Sequence, residues 1–279
     1  MKEKILITVK TYPTLSKSYA ELVCTAGVNE AGEWRRLYPI QFRQLHDEKK
    51  YRKFQWVEAD ISKSSSDIRP ESYKVMQETL KIVDEPQSRS REVRRERRMD
   101  FVENTVSYDD MEHLTSLAHN NELSLALFRP AEILEFICEP EDRNWNPEYL
   151  QKLEHDKQQL NLLKDSASVE EDFKVVNKLP YKFSYRFHDV NGKVFQRMIE
   201  DWEIGALYWN CLRSSGGNES IACDKVRDKY WDDYVKSGKY DIMLILGTTV
   251  EAHRRKWPYQ FVIIGVLPVP INLQSSLSI

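Results

Sequence analysis

Between residues 181 and 212 the hydrophobic pattern changes from a period of two to a helical one. Tyr181, Phe183, Tyr185 and Phe187 alternate with Lys182, Arg186 and His188, which predicts a strand with one aromatic and one charged face. Asn191-Gly192 tolerates two consecutive positive φ values and so predicts a two-residue hairpin turn. That turn sets His188 against Phe195 and Lys182 against Asp201, and it brings Gln196, Met198, Glu200 and Trp202 to the aromatic face. Ile204, Leu207, Tyr208, Cys211 and Leu212 then form the core-facing stripe of a helix. A second helix is expected over 219–235. Two continuous apolar runs, 241–246 and 261–269, read as strands buried on both faces and central in a sheet. The order ββααββ predicts an α+β layer with helices on one face.

The N-terminal half has a different texture. Ile5, Ile7 and Val9 alternate with Lys4, Leu6, Thr8 and Lys10 in a first strand, and further strands are expected at 21–28, 33–40 and 55–62. Short links between them predict an antiparallel meander or small barrel. A helix over 87–106 follows. Two strands at 123–129 and 131–139, split by Pro130, are expected to return to the first sheet. Asn146-Pro147 opens a further helix with Leu150, Leu153, Leu160 and Leu163 on its stripe, and 165–172 is polar enough for a linker. The expected division is a β-rich domain with an arginine-rich helix (1–143), a helix and linker (144–174) and an α+β domain (175–279).

Charge sharpens this picture. The net charge of −3 divides unevenly: 21 Lys/Arg against 15 Asp/Glu over 1–98 (+6), 1 against 11 over 99–142 (−10), and 19 against 18 over 143–279 (+1). A basic head beside an acidic stretch implies an intramolecular face-off or a polyanion site. Arg91, Arg94, Arg95 and Arg98 recur at i, i+3, i+4 and i+7 and so share one helix face, flanked by Arg89 and Arg97. Guanidinium forks match phosphate oxygens bidentately, which makes this face a candidate phosphate grip; the alternative is a solvated face offset by Glu92, Glu96, Asp109, Asp110 and Glu112. The loop holding Arg254, Arg255, Lys256 and Trp257 pairs basic groups with a ring and is a second nucleic-acid-binding candidate.

Glu200, Asp201 and Glu203 are the catalytic candidates, as a general base or ligands of a divalent metal. Asp201 stands where strand becomes helix, so helix capping outweighs catalysis there. Glu200 on an aromatic face would instead grip the edge of a base. Four scattered cysteines without a Cys-x-x-Cys pair exclude a zinc-finger or disulfide framework. Walker A, Gly-x-Gly-x-x-Gly, Gly-x-Ser-x-Gly and zinc-deaminase patterns are missing. No apolar run approaches the ~20 residues of a membrane span, so a soluble cytoplasmic protein without a resident cofactor is expected.

KLPYKFSYRF…MIEDWEIGALYWN, the ending DIMLILGTT…WPYQFVIIGVLPVP and the opening ITVKTYPTLSKSYAELVCTAGV…EWRRLYPIQFRQL resemble a widespread group of uncharacterised bacterial proteins. That resemblance covers nearly the whole chain and implies an association with mobile-element or phage-defence genes. More loosely, strand-rich halves with a basic loop resemble PUA-like modules, including ASCH and EVE types, which implies binding of nucleic acids or modified bases. Two readings follow. One is a nucleic-acid-binding protein, DNA or RNA, with a modified base among its candidate targets. The other is a hydrolase or nuclease acting through Glu200, Asp201 and Glu203, with a divalent metal as its one candidate cofactor.

Overall fold

The computed structural model describes residues 1–15, 23–148, 150, 151, 155, 176–258 and 260–271. Five strands close into a barrel: β1 (Lys2–Lys10), β2 (Val23–Asn29), β3 (Trp34–Ile40), β4 (Trp56–Lys63) and β5 (Ser72–Val75). β1 pairs with both β2 and β4, and β5 bridges β3 to β4, running parallel to β3. β5 was invisible in the pattern because Ser72-Tyr73-Lys74-Val75 carries no apolar run. Ile5, Ile7, Leu37, Ile40 and Val57 fill the barrel. Leu6 and Val9 on the same first strand face outward into a second core, which explains why β1 is apolar on both sides.

After β6 (Lys81–Ile82) come α1 (Arg91–Asn104), β7 (Ser107–Tyr108), α2 (Met111–His119), β8 (Leu125–Phe128) and β9 (Glu132–Pro140). The chain then runs through β10 (Tyr181–His188), β11 (Val194–Met198), α3 (Trp202–Ser214), α4 (Glu219–Arg227), a π-helical continuation over Asp228–Lys236, β12 (Tyr240–Thr248), α5 (Val250–Arg254) and β13 (Phe261–Pro270). The protein is therefore α+β. β8 and β9 do not return to the barrel sheet as expected. β9 pairs with β10, and β8 with β12. Nor do the C-terminal strands share one layer: β11-β10-β9 and β13-β12-β8-β7 are separate sheets, linked by a bridge from Ile199 to Ile263. Local pattern reports that a strand is buried; its partner is chosen by which apolar faces meet.

Asn146 caps the helix it was expected to open, its Oδ1 accepting from the Glu148 amide at 2.9 Å. Leu153, Leu160, Leu163 and the 165–172 linker lie outside the described residues. The barrel is joined to the second half by buried polar contacts: the Arg36 guanidinium donates to the Ser124 carbonyl at 3.0 Å, and Glu71 accepts from the Ser124 amide at 2.8 Å.

The hairpin register differs by one residue from the expected one. His188 faces Val194 and Phe187 faces Phe195. The loop holds three residues, Val190–Gly192, with Gly192 at φ +75° and its amide bonded to the Asp189 carbonyl. Asp189 Oδ1 accepts from the amides of both Asn191 and Lys193 at 3.0 Å and so locks this longer turn. One extra loop residue inverts the faces of the partner strand. Phe195, Arg197 and Ile199 therefore join the aromatic side and are buried, and Asp201 follows in the same parity. The placement of Glu200 among the rings is thereby overturned.

A candidate anion-binding cleft

α1 begins at Ser90, whose hydroxyl accepts from the Val93 amide at 3.1 Å. Two residues one turn apart fasten it. Phe101 is buried against Trp34 and Phe54, and Arg97 donates to Asp84 at 2.9 Å and to the Phe54 carbonyl at 3.1 Å. Phe54 has φ +61°, a left-handed conformation that costs an aromatic residue about 1–2 kcal/mol. Its amide donates to Ile7 at 2.6 Å, so backbone bonds on both sides hold the kink.

With Phe101 and Arg97 turned to the barrel, Arg91, Arg94, Arg95 and Arg98 line one wall of a cleft of about 790 Å³. The other walls bring Lys10 from β1, Arg52 and Lys53 from the loop before β4, Trp202 and Glu203 from the start of α3, Tyr234 from the π-helical continuation, Lys239 from the turn before β12 and Tyr240 from the start of β12. Eight cationic side chains thus face two glutamates, Glu92 and Glu203.

Few of these cations are matched. Lys53 is the exception: its ammonium is buried and lies 2.6 Å from both oxygens of the fully buried Asp201 and 3.5 Å from Glu203. Burial works against the Lys53 charge, but the carboxylates outweigh it and hold its pKa above the ordinary value. Among the described residues, Lys10 has no carboxylate partner. Its Nζ rests 3.9 Å from the Phe42 ring centroid and 4.3 Å from that of Trp202. Burial, then the charge of Lys53, push its pKa down to about 8. Arg98 is half-buried with an unpartnered Nε, and burial lowers its pKa. Arg94 donates to the Arg89 carbonyl, and burial and Arg52 lower its pKa as well. Among the described residues, Arg52, Arg91, Arg95 and Lys239 make no ion pair.

The four arginines expected on one helix face are thus together in one cleft. Of the acids expected to offset them, Glu92 stays on the cleft wall and Glu96 on the same helix, whereas Asp110 caps α2 and Glu112 pairs with Lys193. Lys10, Lys53 and Lys239 carried no local signal, since each joins the site only through the folded chain.

The second basic element lies apart from the cleft. Thr248 pairs with Phe261 at one end of the β12–β13 ladder, beside the loop, whereas Tyr240 and Pro270 pair at the cleft end, roughly 25 Å away. Arg255 pairs with Glu251 at 3.0 Å and lies over Trp257, which is 45% exposed; Arg254 and Lys256 are exposed beside them.

The carboxylates do not converge either. Asp201 caps α3 through the Glu203 amide at 3.1 Å, accepts from the Val266 amide at 3.3 Å and carries the Lys53 pair. Glu203 is exposed at the cleft rim. Glu200 is half-buried where the chain passes from β11 to α3, and burial raises its pKa. Among the described residues, no three His, Cys, Asp or Glu side chains are grouped to hold a metal ion, and no helix is long and apolar enough to cross a membrane.

Residues 1–103 match the family model described as Domain of unknown function (DUF8758), and residues 103–278 match Domain of unknown function (DUF8757). The two meet at the end of α1, so the arginine helix falls within the first, whereas the sequence pattern placed the divide at 144–174. No curated protein matches the chain. The second model spans more than half of the chain, from the end of the arginine helix through β13, and the protein belongs to the DUF8757 family.

Proposed function

We propose that the protein binds nucleic acid, DNA or RNA, and that the cleft between α1 and the barrel holds the phosphate backbone. The observation that carries this reading is the accumulation of cations without carboxylate partners around one cavity. Like charges gathered in a half-buried space destabilise a fold unless an anion neutralises them. Guanidinium groups on neighbouring turns suit adjacent phosphate oxygens, and Trp202, Tyr234 and Tyr240 supply faces for stacking. A closed barrel carrying a basic helix is also consistent with the PUA-like comparison, under which a modified base is one class of target.

A gel shift at two salt concentrations tests the proposal, with wild type beside the Arg91→Ala, Arg94→Ala, Arg95→Ala, Arg98→Ala variant. Wild type is expected to bind with a steep salt dependence and the variant with a flatter one, by about one unit of slope per lost phosphate contact. An unchanged slope would return this helix to an ordinary solvated face. Strand cleavage in added Mg²⁺ or Mn²⁺ would favour the hydrolase reading.

A further inference from the structure

A second cavity of about 350 Å³ shares Trp202 as a wall with the cationic cleft. Tyr12, Ala206 and Trp209 form its other principal walls, with Asn210 and Arg213 beside them. Three aromatic residues therefore surround one small space next to a phosphate-sized concentration of positive charge.

The pocket is built rather than left over. Gly205 lacks a side chain where one could not fit: a Cβ there would lie 2.2 Å from the Tyr12 ring. The tyrosine ring can consequently pack directly against the start of α3. Its hydroxyl accepts from Trp209 Nε1 at 2.7 Å and donates to the Asn177 carbonyl at 2.9 Å, so both rings are held in place. Tyr12 and Trp202 stand 6.3 Å apart at a 46° tilt. Ala206, the small residue between Trp202 and Trp209 along the helix, leaves the space open. Asn210 and Arg213 stand at the same opening, the guanidinium donating to the amide oxygen, which leaves the Asn210 amide NH₂ and the remaining guanidinium N–H groups for a ligand.

We infer that this pocket receives an unpaired nucleobase of a strand whose phosphates lie in the adjoining cleft. The inference rests on the phosphate reading and narrows it to single strands or extruded nucleotides. A base offers a flat π-face to the rings and polar edges to Asn210 and Arg213, and its own phosphate is one sugar away. A base inside a duplex cannot enter, because its faces are already stacked.

The test compares three fluorescently labelled ligands of equal length: a single-stranded DNA, the same strand with abasic positions throughout, and the duplex. Wild type is expected to bind the ordinary strand roughly ten-fold or more tighter than the abasic one. Ala206→Leu fills the pocket and is expected to remove that difference while the salt slope stays as in wild type. Equal wild-type affinity for the ordinary and abasic strands, or undiminished discrimination in Ala206→Leu, overturns the base pocket. Should the leucine variant fail to fold, tryptophan fluorescence of wild type decides: quenching by the ordinary strand and not by the abasic one is expected, and equal quenching overturns the inference. Failure of the phosphate reading is separate, appearing as an unchanged salt slope in the four-arginine variant.

Discussion

Two regions of this protein are rich in charge and differ in how it is matched. On the outer face of the β9–β10 pair, Lys182 lies against Glu139 at 3.4 Å, Arg186 against Glu135 at 3.1 Å and His188 against Glu132 at 3.2 Å. Each of these side chains has an acid directly across the strand. Part of the acidic stretch that gave 99–142 its net charge is thus spent on this ladder. The cleft is the reverse case, with cations crowded around a cavity and Lys53 alone buried against an acid. A matched ladder on a solvated face contributes little and asks for no ligand. An unmatched, half-buried cluster carries a standing cost that an anion would relieve.

The sharpest way to break this contrast is to remove the unmatched charge. Alanine at Arg91, Arg94, Arg95 and Arg98 together should weaken nucleic-acid binding roughly a thousand-fold, at about 1 kcal/mol per lost phosphate contact. The same assay on Arg186→Ala should show no change, because its charge is already answered. Equal losses in both would mean that matching is irrelevant.

Next in size is the buried pair. Asp201→Asn keeps a competent helix cap but leaves the buried Lys53 ammonium with only the exposed Glu203 carboxylate at 3.5 Å, and should cost about 3 kcal/mol in urea unfolding. A loss below about 1 kcal/mol would show that the pair is not desolvated in solution.

Lys10 should behave in the opposite sense. Its folded pKa of about 8 lies below the ordinary 10.5, so its cost to the fold is full below pH 8 and is relieved as pH rises towards 10.5. Lys10→Met should therefore stabilise the protein at pH 7 by up to about 3 kcal/mol, and the stabilisation should shrink between pH 8 and 10.5. Anion affinity should fall in wild type as pH passes above 8 and stay level in the variant. A destabilised Lys10→Met protein would show that the Phe42 and Trp202 rings hold the ammonium more tightly than burial and Lys53 oppose it.

The smallest effect belongs to the ladder. Glu135→Ala should change stability by less than about 1 kcal/mol, and added salt should erase even that. A larger loss would mark the outer sheet face as more than a solvated surface.

Much of this molecule was already decided by the order of its residues. Four of the five barrel strands were legible in the sequence pattern, and the spacing of Arg91, Arg94, Arg95 and Arg98 placed them on one face whatever the helix packed against. Helical phase is a local property, set by about 3.6 residues per turn. Asp201 likewise caps α3, as its place between strand and helix required. The hairpin register was not decided that way. Asn191-Gly192 is compatible with loops of two or three residues, and Asp189, bonded to Asn191, Lys193 and the distant Met111 amide, selects the longer one. That choice moved Glu200 off the aromatic face. Tertiary structure alone also brought Lys53 to Asp201 across 148 residues of chain, set Lys10 between two rings, and sent the 254–257 loop to the far end of the β12–β13 ladder. Local spacing cannot encode such pairings, because they are set by which apolar faces of the barrel and the two sheets bury each other.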